Sequence, residues 1–393
     1  MLRYALAVAS VCALPLAARA ADEPAAELAA PSLAAPRFGP ATIIRYRTGA
    51  IVTAGGGAVR NVKAMVATPL ECPEQSVQIV EEDVTPDVET LQYRLLRGEG
   101  CRQMLVTIPY LNAGAEARAV VTYEVETRTV LPPEDPSLLA IPKRPDIRLK
   151  AYLGNSPYID PRHPKIRKAV AEAFKALEAE LADEPEDDSS DNPAEQQAQA
   201  APDEAEPNDS AGAGSEASPT ADDAEAIVAG SADADASAAD PAYEPAEPTD
   251  WRRVEAIYDF VIDKIKYKEG EDKSSVQALQ DEEGDCQAIG ALFVAMCRHV
   301  KVPARLVWVH EHQYAEFYLV DDQGDGYWFP VETAGTPAFG EMRIARVILQ
   351  KGDNFQVPER PRDRLRYATD FLTGLPAAPG GAKPKVRYVR EPL

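Results

Sequence analysis

Positive charge is missing from 68 consecutive residues of this 393-residue chain: Asp183 to Asp250 holds 21 acidic side chains and neither lysine nor arginine. The formal net charge of −23 is therefore local, because the remaining residues carry 43 acidic and 41 basic groups, a net of −2. No basic patch emerges to neutralise phosphates, which removes nucleic acid as the default partner. Long apolar runs are lacking too: the run from Tyr4 to Leu14 falls short of the ~20 residues a membrane helix needs, and no later segment reaches it, so no membrane span is expected. The acidic stretch has no EF-hand spacing with its glycine and terminal glutamate, so calcium loops are not indicated. Histidine is scarce, with four in the chain, and five cysteines are too few for a disulfide scaffold at this length.

The N-terminus reads as an exported chain's signal peptide: Arg3, the short apolar run, then Ala18-Arg19-Ala20 as a small-x-small cleavage pattern. The expected location is periplasmic or secreted. Four cysteines then remain. Cys72 and Cys101 both fall in β-rich sequence and are candidates for pairing in an oxidising compartment. Cys286 and Cys297 lie on one predicted helix, roughly 16 Å apart along its axis, and cannot pair with each other.

Residues 21–38 are Ala/Pro-rich and read as a disordered tether. Six β-branched runs follow: Ile43 to Arg47, Ala58 to Ala67, Val77 to Glu81, Thr90 to Leu96, Gln103 to Ile108 and Ala119 to Thr129. Clusters such as Gly55-Gly56-Gly57 and Asn112-Ala113-Gly114 separate them. Strands at this spacing predict a small antiparallel sandwich over 39–131. A Pro-rich connector spans 132–163, and a helix then opens at Pro164, with Ile166, Val170, Phe174 and Leu177 at helical spacing. The acidic stretch, 183–250, has only Ile227, Val228 and Tyr243 as apolar residues besides alanine, too few to offset the entropy of ordering it. Helical periodicity resumes at Trp251, with Asp250 as the expected N-cap. The acidic segment is thus an insertion within a helical region. In the C-terminal extension, 361–393, a short helix is expected around Arg364 to Leu372, and the alternation in Lys385 to Arg390 suits an edge strand.

Chemistry concentrates after the insertion. Gly284-Asp285-Cys286 stands at a loop-to-helix junction, and Ile289, Leu292, Phe293, Met296 and Val300 recur at helical spacing before Pro303. With Asp285 as N-cap, Cys286 falls in the first turn, where unpaired N–H groups and the helix dipole favour a thiolate nucleophile and can hold a developing oxyanion. A base must come from the four histidines. His299 is too far along the same helix, and His163 sits at the start of an earlier helix in a capping position. His310 and His312 remain, two apart in the β-rich segment Arg305 to Val320, on one face of a regular strand. Periodicity does not choose between them, and a two-histidine metal site is the rival reading, with no third ligand at recognisable spacing. A second strand, Tyr327 to Glu332, follows a polar turn, and hairpin pairing brings Glu332 near the start of the strand before it. A carboxylate there can orient an imidazole.

Gly284-Asp285-Cys286, Val302-Pro303-Ala304-Arg305, His312-Gln313-Tyr314-Ala315-Glu316 and Trp328-Phe329-Pro330-Val331-Glu332 together resemble the transglutaminase-like core. The resemblance covers roughly Trp251 to Thr333, within an expected core of 251–360 whose first helix is 164–182. It implies an α+β protein: an N-terminal antiparallel β-sandwich followed by a papain-like transglutaminase core carrying a long disordered acidic insertion. Carried over by position, Cys286 is the nucleophile, His312 the general base and Glu332 the orienting acid, the His-x-aromatic-x-Glu pattern deciding for His312. The family usually has aspartate where Glu332 stands, and its crosslinking members commonly have tryptophan where this chain has Gln287. The implied reaction is amide acyl transfer on a protein or peptide substrate, as hydrolysis first and crosslinking second, with no cofactor and no metal. A non-catalytic binding or scaffold protein retaining the fold is the alternative from another class.

Overall fold

The computed structural model of the chain describes residues 32–96, 100–183, 247–270, 272–368 and 370–393. The expectations for the signal peptide, for most of the tether and for most of the acidic stretch lie outside these residues. The tether reading does not extend over 32–38. There Ala34 is fully buried, Ser32 Oγ donates to Asp321 Oδ2 at 3.1 Å, and Arg37 begins the first strand.

All six predicted strands are present, four of them longer than their β-branched cores and the second and fourth close to them: β1 (Arg37–Thr53), β2 (Val59–Thr68), β3 (Gln75–Val84), β4 (Thr90–Leu95), β5 (Arg102–Leu111) and β6 (Glu116–Leu131). Period-2 alternation explains what they bury. Ala117, Ala119, Val121, Tyr123 and Val125 of β6 face Val62, Ala64 and Val66 of β2 and Met104, Val106 and Ile108 of β5 in one apolar cluster. Gly55 and Gly114 supply the positive φ, 56° and 75°, at adjoining turns of the two sheets. Cys72 and Cys101 are both free thiols.

The second body is helical on one side and a sheet on the other. After a four-residue helix α1 (Ile147–Lys150) come α2 (Pro164–Asp183) and α3 (Asp250–Lys264). The N-cap of α3 is Thr249, whose side chain accepts from Arg252 N; Asp250 instead accepts the Ile141 N–H at 2.7 Å. Next follow β7 (Lys266–Tyr267), α4 (Ser275–Asp281), β8 (Glu283–Gly284) and α5 (Cys286–His299). Every residue of α5 from Ala288 to Arg298 is buried, so the apolar positions expected as a stripe belong to a helix enclosed all round. It lies between α2, α3 and α4 and an antiparallel sheet. That sheet comprises β9 (Ala304–Val309), β10 (His312–Val320), β11 (Gly326–Glu332), β12 (Ala338–Phe339) and β13 (Ile348–Lys351), in the order β12-β11-β10-β9-β13.

The remaining strands are β14 (Phe355–Val357), β15 (Arg360–Leu365), β16 (Phe371–Pro376) and β17 (Lys385–Pro392). Among the described residues of 364–372 the expected helix is absent: β15 runs through Leu365 and β16 begins at Phe371. The reason is tertiary, because β16 pairs with β2 from Phe371↔Met65 to Pro376↔Val59 and satisfies an otherwise open sheet edge. The edge strand expected at Lys385 to Arg390 is β17, paired with β1. Residues 371–392 thus complete both sheets of the sandwich, β17-β1-β6-β3 and β16-β2-β5-β4. A buried ion network joins the two bodies. Lys351 of β13 pairs with Glu74, before β3, and with Glu316 of β10 at 2.7 Å, and Arg305 of β9 meets Glu316 at 2.7 Å.

Candidate active site

Cys286 is the first residue of α5, partly exposed, with Asp285 as the cap whose Oδ1 accepts the Ala288 N–H at 2.9 Å. The approach to it is fixed by β8, paired in parallel with β7 through Tyr267↔Gly284. Glycine is required at 284, since a Cβ would fall 2.8 Å from that of Ala288. Gly290, about a turn beyond Cys286, meets a similar demand: a Cβ there would lie 2.8 Å from Gln313 Nε2, so its absence lets α5 sit close on β10. Gln313 Nε2 in turn donates to the Cys286 carbonyl at 3.4 Å.

His312 and His310 do not share a strand face. The segment read as one strand is a hairpin, with His310 and Glu311 in the turn between β9 and β10 and Glu311 in the left-handed region at φ 53°. His310 Nδ1 meets the buried Tyr46 hydroxyl at 3.0 Å, across the boundary with the sandwich. His163 Nδ1 accepts from Lys165 N at 3.2 Å, and His299 Nδ1 donates to the Pro161 carbonyl at 2.9 Å.

The hairpin of β10 and β11, in register from Ala315↔Val331 to Val320↔Gly326, carries Glu332 back to the start of β10. His312 Nε2 lies 3.0 and 2.9 Å from the two carboxylate oxygens of Glu332. With Nε2 engaged there, Nδ1 is the nitrogen left for the thiol of Cys286, which lines the same cleft as His312. Burial works against a charged imidazole, but the neighbouring Cys286 and Glu332 side chains outweigh it, and the His312 pKa is raised to about 9. The structure thus brings Cys286, His312 and Glu332 into one chain of contacts.

Several partners carried no signal in the sequence. Glu332 is buried and held from three sides: Oε1 accepts the Ala334 N–H at 3.1 Å, Oε2 accepts from Arg346 Nη1 at 3.0 Å, and its backbone carbonyl accepts from the Tyr258 hydroxyl at 3.4 Å. Arg346 lies between β12 and β13, in a stretch without motif or periodicity. Glu316, the last residue of the His-x-aromatic-x-Glu pattern, is not at the site but in the buried ion network.

A cleft of about 460 Å³ opens beside Cys286 and His312. Its far wall is formed by Trp308, Tyr367, Tyr388 and Arg390, the last two from β17 of the sandwich. The C-terminal strand therefore contributes to the site region, a role that alternation alone did not reveal.

No curated protein matches the chain. Among solved structures it is similar to a candidate cysteine protease from Cytophaga hutchinsonii, with a TM-score of 0.45 and 13% identity over 90% of this chain and 92% of that one. Residues 237–333 match the family model described as the transglutaminase-like superfamily, a span that contains Cys286, His312 and Glu332.

Proposed function

We propose that the chain is an exported cysteine-dependent amide hydrolase acting on a protein or peptide. The observation that carries this reading is His312 beside Cys286 on one cleft, with its Nε2 held by the buried Glu332 carboxylate. In the reaction, the Cys286 thiolate attacks the scissile carbonyl carbon, and the carbonyl π electrons move to oxygen. The Cys286 and Gln287 N–H groups head the first turn of α5, whose cap engages the Ala288 N–H, and they are the donors available to that oxyanion. Imidazolium His312 then protonates the leaving amine as the C–N bond breaks, giving a thioester and a neutral imidazole. His312 next takes a proton from water, the hydroxide adds to the thioester carbonyl, and collapse expels the thiolate and releases the carboxylic acid. Glu332 holds the ring in the orientation that both proton transfers need.

The test is acylation and turnover of p-nitrophenyl acetate, together with alkylation by iodoacetamide, in the wild type and the Cys286→Ala and His312→Ala variants. A burst of nitrophenol that disappears in Cys286→Ala and collapses in His312→Ala supports the reading. Ordinary thiol behaviour at Cys286, insensitive to His312, would favour a scaffold that keeps the fold without its chemistry.

A further inference from the structure

Two buried N–H donors in the wall of the cleft beside Cys286 have no acceptor among the described residues: Trp308 Nε1 and Arg390 Nε. They belong to one local assembly, because Tyr367 packs on Trp308 at 4.8 Å between ring centroids and lies 5.8 Å from the Arg390 guanidinium. An unmet buried donor costs ~1–3 kcal/mol. Asp370 Oδ1, beside Arg390, is itself a buried acceptor without a partner among the described residues, so it is the Trp308 N–H above all that calls for an acceptor from outside. Arg390 is also the one permanent cation among the described residues lining the cleft. Its pairing with Asp370 fixes the guanidinium from below while 26% of the side chain stays exposed. On β17, register places Arg390 opposite Thr48 and Tyr388 opposite Ala50, so period 2 turns both side chains to the cleft and buries Val389 on the other face. At the catalytic end the signs reverse. Gln313 Oε1 is a buried acceptor without a donor among the described residues, and exposed Glu311 adjoins His312. The volume, about 460 Å³, is within the ~300–1,000 Å³ typical of ligand pockets.

We propose that the cleft is a subsite for an acidic peptide side chain, its carboxylate bound by Arg390 and the Trp308 N–H and a neighbouring peptide N–H accepted by Gln313. The sandwich then supplies substrate selection to a nucleophile held by the other body. That the ligand is a substrate rests on the hydrolase reading; that the cleft binds a carboxylate does not.

The two are separated by measuring binding without chemistry. Dye-labelled alanine tetrapeptide amides, with a single Glu or its isostere Gln moved through each position, are titrated by fluorescence anisotropy into the full chain carrying Cys286→Ala. At one position Glu should bind tenfold or more tightly than Gln, the scale of a charge-assisted hydrogen bond. Adding Arg390→Gln should bring the Glu/Gln ratio to about one. Arg390→Gln combined with Asp370→Asn, which leaves no unpaired buried carboxylate, should do the same in a chain that folds, and Arg390→Lys should keep some of the preference. A ratio near one at every position, or a preference that survives loss of Arg390, overturns the subsite. Ordinary iodoacetamide reactivity at Cys286 in the wild-type chain, unchanged in His312→Ala, overturns the hydrolase reading and leaves the binding ratio untouched.

Discussion

Arg346 Nη1 donates to Glu332 Oε2 at 3.0 Å, the same oxygen that faces His312 Nε2 at 2.9 Å. On the proposed reading the arginine acts through Glu332, by fixing the carboxylate that orients the His312 ring. Arg346→Met removes one of the two partners of Oε2 and leaves the Ala334 N–H and His312 to hold the carboxylate. Misplacement of a catalytic group by about 1 Å costs up to ~100-fold, so kcat for p-nitrophenyl acetate should fall ~10- to 100-fold with KM little changed. A change confined to KM would show that Arg346 contacts substrate instead.

Glu332 itself tests whether the longer acid still serves as orienter. Glu332→Gln keeps the shape but loses the charge facing Nε2, and the amide can present an N–H to a nitrogen that now donates. The acylation rate should drop ~10²- to 10⁴-fold. Glu332→Asp keeps the charge but withdraws it by one methylene from His312, Ala334 and Arg346 together, so it should lose activity to a smaller degree. An aspartate variant worse than glutamine would mean that position outweighs charge here.

The pH dependence follows from the sign of the His312 shift. Its pKa is raised to about 9 in the folded chain, against ~6.5 for a free histidine, so the folded state binds this proton more tightly. The resulting stabilisation is fully present below ~6.5, declines between there and about 9, and is lost above that. The Tm difference between wild type and His312→Ala, scanned across that window, should therefore shrink as pH rises. A difference that grows with pH would contradict the direction of the shift.

What the sequence revealed and what it hid divide along one line: local pattern against contacts made across the chain. Six strands, the Pro164 helix and the Asp285 cap were legible because alternation, a first-turn proline and a capping side chain act over a few residues. Glu332 was legible through hairpin logic, which links two adjacent strands. Arg346 was not, since its only signature is a contact fourteen residues away in an irregular stretch. The turn at His310 and Glu311 was hidden because it contains neither glycine nor proline, and a β-rich run broken there still reads as one strand. The helix expected near Arg364 lost to an edge of a sheet begun some 300 residues earlier, at β2.

That turn carries its own prediction. Glu311 sits at φ 53°, where an L side chain costs ~1–2 kcal/mol relative to the right-handed region. Glu311→Gly should stabilise the fold by ~1 kcal/mol or less after the entropy of the unfolded glycine is counted, while Glu311→Val should destabilise it. Urea midpoints of the two variants should bracket the wild type. Equal losses in both would place the residue's importance in its carboxylate and not in its backbone.

Arg298, at the buried end of α5, shows why a fully enclosed cation is retained. Its Nη2 pairs with Asp353 Oδ2 at 2.6 Å, with side chains 0% and 1% exposed. Nε and Nη2 both donate to the Ala304 carbonyl, at 3.0 and 2.8 Å, and Nη1 donates to the Gly154 carbonyl and Ser156 Oγ at 2.9 and 3.0 Å. One side chain thus ties the helix headed by Cys286 to the connector and to the strand leading into the His312 hairpin. Arg298→Met leaves Asp353 charged and unpaired in the interior and should cost ~3–5 kcal/mol in urea unfolding. Arg298→Lys should cost nearly as much, because three donors on a flexible stem do not replace a planar fork of five. Adding Asp353→Asn to Arg298→Met removes the stranded charge and should recover some of the loss. If the double variant is no more stable than the single, the cost lies in the carbonyl contacts rather than in the ion pair.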